Sequence, residues 1–109
     1  MKKYILSLLF ALASFLTFSQ ITVTHFNAGW NSANDVQWVD KLSDCDIAKV
    51  DIATDPKIQQ KHNVVVVPTI IVFQDGEEVK RFQADLSFKI AATREELQDY
   101  IDELVMSAF

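Results

Sequence analysis

Cysteine is nearly absent: of 109 residues, only Cys45 carries a thiol. A lone thiol excludes an intrachain disulfide framework, even though the start of the chain predicts export to an oxidising compartment. Histidine is equally scarce. His25 and His62 lie far apart, and neither belongs to a Cys/His spacing that would suggest zinc, so neither a metal nor a cofactor is expected. Positive charge is also short. Ten Lys and Arg against 15 Asp and Glu give a net charge of −5. That balance argues against nucleic acid or an anionic membrane as partner, since both need a basic face. Internal repeats are lacking, and low-complexity sequence is confined to the leader.

What is present begins with that leader. Met1-Lys2-Lys3 is basic, and residues 4–18 are apolar apart from Ser7, Ser14 and Thr17. Thr17 and Ser19 supply small residues where a signal peptidase reads, favouring cleavage before or just after Gln20. A secretory signal over residues 1–19 is therefore expected, followed by one domain over residues 20–109 in the periplasm or outside the cell. The alternative is a short uncleaved anchor, but the apolar run falls below the roughly 20 residues a span needs, and no stop-transfer charges follow. No insertion into the membrane is expected once the signal is removed. Cleavage would also take away Lys2 and Lys3, deepening the acidic balance. The remaining length suffices for a single core without disulfides, with modest margin.

Residues 20–27 read as a strand, with Ile21, Val23 and His25 on one face and Thr22, Thr24 and Phe26 on the other. Ser32-Ala33-Asn34-Asp35 matches a capping box and predicts a helix over residues 33–42 that carries Val36, Val39 and Leu42 on one side. A second short strand follows at residues 48–52. Asp55-Pro56 opens a short helix that Asn63 can end in a left-handed conformation. Residues 64–73 are strongly β-branched and broken by Pro68. Asp75-Gly76 marks a hairpin, and Val79, Arg81 and Gln83 alternate with Lys80 and Phe82 on the return strand. Thr93-Arg94-Glu95-Glu96 is a second capping box. After it Leu97, Tyr100, Ile101, Leu104 and Val105 follow the spacing of a helix laid on a sheet. The order β-α-β-α-β-β-α predicts an α/β protein with a central sheet flanked by helices.

Four local patterns in this order resemble the thioredoxin family. Phe26, Ala28 and Trp30 are similar to the strand leading to that family's active site. Lys49-Val50-Asp51-Ile52 with Asp55-Pro56 resembles its next strand and helix start. Val67-Pro68-Thr69-Ile70-Ile71-Val72-Phe73 resembles its Ile-Pro-Thr strand, whose proline is cis, and Asp75-Gly76-Glu77 resembles the hairpin after it. The resemblance covers residues 21–106 and implies a thioredoxin-like fold with mixed sheet.

The departures carry the functional expectation. Where the family has Trp-Cys-x-x-Cys, this chain has Trp30-Asn31-Ser32-Ala33-Asn34, a degenerate active site. A dithiol needs two thiols, one of them poised as a thiolate, and neutral amides supply neither. The family's buried acid corresponds to His25, a residue more simply read as a satisfied histidine in the sheet than as a base. The first helix is shorter by about two turns. Residues 83–92 are an insertion in a loop that borders the family's active site. Leu86, Phe88 and Ile90 give it an apolar side that is expected to pack beside residues 31–34 and the Val67-Pro68 edge. Asn31 and Asn34 sit where a helix N-terminus could attract an anion, though capping the helix and facing solvent or the loop is the simpler reading. Cys45 is flanked by Asp44 and Asp46, which disfavour a thiolate.

The resemblance thus implies an exported thioredoxin-fold protein without dithiol reductase activity. It is expected to bind a protein or extended peptide along Val67, Pro68 and Thr69, where the residue before the proline pairs with a ligand's main chain, with Phe88 adjoining. The competing readings are a thiol-dependent or glutathione-linked enzyme using Cys45 and a structural subunit of an envelope assembly. Neither partner nor oligomeric state can be read from the sequence.

Overall fold

The computed structural model describes residues 20–108; the leader expected at residues 1–19 lies outside them. Four strands form one mixed sheet in the order β2-β1-β3-β4. β1 (Ile21–Asn27) runs parallel to β2 (Asp46–Asp51) and antiparallel to β3 (Thr69–Gln74). β3 turns into β4 (Glu77–Gln83) through Asp75 and Gly76, whose φ angles of 52° and 86° suit a two-residue hairpin turn matched to strand twist. Gly76 is one of the two glycines of the chain, and its left-handed backbone would strain any other residue. Two α-helices follow the expected signals. α1 (Pro56–Lys61) has Asp55 accepting from the Ile58 N–H, and Asn63 leaves it at φ 51°. In α2 (Arg94–Ser107), the Thr93 hydroxyl accepts from the Glu96 N–H at 3.2 Å.

The helix expected over residues 33–42 is corrected by the structure. Two 3-10 turns occupy this stretch, Gly29–Asn34 and Gln37–Lys41, and the Ser32–Asp35 capping box does not form. Asp35 instead turns inward to accept from the Asn27 side-chain amide. The apolar positions 36, 39 and 42 are spaced by three, the period of a 3-10 turn, so they still share one face without α-geometry. The strand expected over residues 64–73 is also shorter: β3 starts only at Thr69, and the Val67–Pro68 peptide bond ahead of it is cis.

Two apolar clusters sit on opposite faces of the sheet because strand side chains alternate. Ile21, Val23, Ile70 and Val72 meet Val36, Val39 and Leu42 from the 3-10 turns and Leu97 and Ile101 from α2. Phe26 and Ile71 meet Val64 and Val67 on the other side. There the His62 ring lies 5.7 Å from that of Phe26 and 5.3 Å from that of Phe73.

Candidate functional site

The C-terminal end of β1 delivers Asn27, Ala28, Gly29 and Trp30 to the first 3-10 turn, level with the Val67–Pro68 bond that precedes β3. Asn31 is buried, not solvent-facing, which corrects the expectation that it caps a helix. Its Nδ2 donates to Asn27 Oδ1 at 3.0 Å and lies 3.5 Å from the Val67 carbonyl oxygen. Asn34 Nδ2 donates to Asn31 Oδ1 at 2.8 Å. Asn27 Nδ2 in turn donates to the Asn31 carbonyl at 3.1 Å and to the Asp35 carboxylate. The amides therefore run head to tail from Asn34 through Asn31 and Asn27 to Asp35. In a low-dielectric interior such a chain is rigid when complete and costly when one member is lost. Sequence reasoning missed Asn27 and Asp35. The signal was a polar residue at the buried end of a strand, which requires a partner.

His25 stands beneath this network. It is buried, and its Nε2 accepts from the Val36 N–H at 3.1 Å. That bond requires a neutral ring whose proton sits on Nδ1. Burial holds the His25 pKa below 6.5; the charges of Asp35 and Asp40 pull it up and that of Lys49 pushes it down. The histidine thus closes the kink between the two 3-10 turns.

Residues 83–92 fold back toward the same end of the sheet. Ala84 N–H donates to the Pro68 carbonyl at 3.0 Å, and Asp85 and Lys89 close a tight turn around Phe88, whose φ is 62°. The Phe88 ring meets Trp30 edge-on at 5.6 Å between centroids. Trp30 remains 69% exposed, Phe88 45% and Leu86 wholly so, whereas Ile90 packs against the core. The expected apolar side of the segment is thus divided between the core and the surface. Thr69 is buried, its hydroxyl donating to the Val66 carbonyl at 2.7 Å. Among the described residues the Val67 N–H has no acceptor. Ser32 and Ala33 lie on the surface side of the turn and donate no side-chain hydrogen bond to it.

On the β2 side of the amide network lies an open groove of about 930 Å³, with His25 and Asn27 among its lining and Trp38, Asp40, Lys49 and Asp51 along its walls. It opens where a longer first helix would have lain. Cys45 is remote from all of this, packed against the core at the start of β2. Burial, with help from Asp46 and Asp44, pushes its thiol up to about 11. Among the described residues no group of His, Cys, Asp and Glu is placed to hold a metal ion.

Residues 19–103 match the family model described as Thioredoxin. The chain belongs to the thioredoxin family. Over 65 residues it is 37% identical to the thioredoxins of Mycobacterium tuberculosis (strain H37Rv) and Mycobacterium bovis, matching 60% of this chain and 54% of each relative. It thus spans about half the length of the curated relatives it matches. Its fold is similar to that of a mutant thioredoxin from Halobacterium salinarum NRC-1, with a TM-score of 0.64 and 22% identity over 79% of this chain and 75% of that one. Fasciola hepatica thioredoxin gives 0.57 and 27% over 77% and 80%. Within the thioredoxin family, then, this member carries Asn31 and Asn34 at the turn after Trp30 and a single cysteine elsewhere.

Proposed function

We propose that this protein is an exported, redox-inactive member of the thioredoxin family that binds an extended peptide or partner segment beside Val67 and Pro68. The observation that carries the reading is the unpaired Val67 N–H next to the exposed Trp30–Phe88 pair. A main-chain donor beside apolar side chains suits a ligand strand that pairs through its backbone and is held by its side chains. The amide network around Asn31 supports a binding role over a redox one. It fills the turn with groups that stay neutral and rigid, and it fixes the carbonyl on the other side of the same residue.

Cys45 offers little to a thiol mechanism. A thiol pushed up to about 11 exposes almost no thiolate at neutral pH, and it sits at the start of β2, away from Trp30. Export rests on the leader over residues 1–19, which places the domain in the periplasm or outside the cell.

Reduction of insulin by dithiothreitol, with and without the purified protein, tests the chemistry. The expected outcome is no acceleration; turnover that Cys45→Ser abolishes would overturn the reading in favour of a thiol enzyme. Binding is read with a reduced and alkylated insulin B chain as an extended apolar probe. The expected result is saturable binding that shifts the Trp30 emission and is lost in Trp30→Ala.

A further inference from the structure

β2 is an edge of the sheet, and among the described residues nothing pairs with its outer side. An open edge is a template for another strand unless something blunts it. β4, the opposite edge, is blunted. Its register slips opposite Val72 and Phe73, leaving Val79 unpaired and its carbonyl taken by the Tyr100 hydroxyl at 3.2 Å. Arg81 there is tied to Glu78 and to the Asn63 carbonyl. β2 has neither slip nor proline over Asp46–Asp51.

The outward groups of β2 can be assigned. Ile52 N–H donates to the Asn27 carbonyl at 2.9 Å, so the backbone of position 52 faces β1. Because strand groups alternate, positions 50, 48 and 46 face β1 as well, and Ile47, Lys49 and Asp51 present their N–H and C=O outward. An antiparallel partner strand must oppose these outward residues with outward residues of its own.

We infer that the partner is a second copy of this chain, its β2 antiparallel to the first with Lys49 opposite Asp51 of the other copy. Charge selects this register. With a second copy, Lys49 can face Lys49, Ile47 or Asp51 within the strand, and only the last gives an opposite charge, twice over by symmetry. Asp51 has an oxygen to give: its Oδ1 accepts from Ala53 and Gly29, and its Oδ2 has no donor among the described residues. Lys49 already reaches Asp40 at 2.7 Å, an exposed pair that can be shared or exchanged. The same register sets Val50 against Val50 on the two-fold axis and Ala48 against Ile52, continuing the apolar face on which Val50 and Ile52 already pack. Opposite charges and β-branched pairs directly across strands both favour pairing. The grooves lined by His25 and Trp38 would then adjoin across the axis, since both lie on the Lys49 side.

Net charge works against any self-association of this acidic chain, and near physiological salt it is screened beyond about 8 Å while contacts at the edge are not. Sedimentation velocity on the chain as the cell processes it, in 0.15 M salt from micromolar to millimolar concentration, is therefore the first measurement. A monomer–dimer equilibrium is expected. Lys49→Glu should weaken it by about tenfold or more by turning two attractions into repulsions, and Lys49→Asp with Asp51→Lys should recover it. Cross-linking checks the register without touching Asp51. Non-hydrogen-bonded antiparallel partners lie about 4.5 Å apart at Cα, within disulfide reach. In a Cys45→Ser background, Val50→Cys should then form a disulfide-linked dimer faster than Ala48→Cys. A monomer throughout the range overturns the inference. So does a dimer that Lys49→Glu leaves intact, or one that cross-links faster through position 48.

Discussion

At the scale of single residues, the turn after Trp30 exchanges sulfur for amide. A buried amide is stable only while its donors and acceptors are met, and Asn31 meets those of Asn27 and Asn34 together. Asn31→Ala leaves both neighbours short of a partner, so a loss of about 1–3 kcal/mol is expected from urea unfolding. Asn31→Ala with stability unchanged would mean that the network relaxes around the gap. His25 gives a second test. Burial holds its folded pKa below 6.5, so just below that pH the unfolded chain takes up a proton that the folded chain refuses. Stability is full above the unfolded value and falls as pH drops below it toward the folded one. Protonation also removes the acceptor for the Val36 N–H, the bond that closes the kink. Unfolding midpoints between pH 8 and pH 5 should therefore decline in the wild type, and His25→Gln should flatten that decline.

At the scale of elements, what could be read ahead depended on how local the cause was. Asp55-Pro56, Asp75-Gly76 and Thr93 act within a few residues, and each produces the cap or turn its chemistry predicts. Thr93 is the simplest to test. Its hydroxyl meets one of the free N–H groups of α2, and Thr93→Ala should cost about 1 kcal/mol in thermal or urea unfolding. The first helix failed as a reading because its cause is not local. Ser32 and Asp35 have capping-box spacing, yet Asp35 is drawn to the Asn27 amide on the neighbouring strand, and the backbone at Val36 is drawn to His25. Two contacts with β1 outweigh one local cap. The period-three spacing of Val36, Val39 and Leu42 was visible, and it fits 3-10 turns as well as one side of an α-helix. The site divides in the same way. Trp30, Val67 and Pro68 were found from motifs, whereas Asn27 and Asp35 belong to it only through the fold.

At the scale of the whole molecule, the inserted segment shows how one surface is assembled from distant parts of the chain. Ile90 anchors residues 83–92 to the core, Ala84 ties them to the Pro68 carbonyl, and Phe88 is carried across to the Trp30 ring. The core therefore holds the segment without help from Phe88 or Leu86, whose side chains reach solvent. Large apolar side chains gathered at the surface mark an interaction site more often than they stabilise a domain. An aromatic pair is worth roughly 0.5–1.5 kcal/mol beyond the area it buries. Losing Phe88 from an exposed pair should consequently leave the melting temperature within a few degrees of the wild type. On the binding side the same residue lies against Trp30, beside the open Val67 N–H. Phe88→Ala is expected to weaken binding of the alkylated insulin B chain by about two- to tenfold, the fold-change equivalent of that pair energy, with circular dichroism unchanged. Leu86→Ala, which removes an apolar group with no neighbour to support it, should weaken binding less. Equal affinity in the wild type and Phe88→Ala would place the binding surface elsewhere and leave residues 83–92 as packing alone.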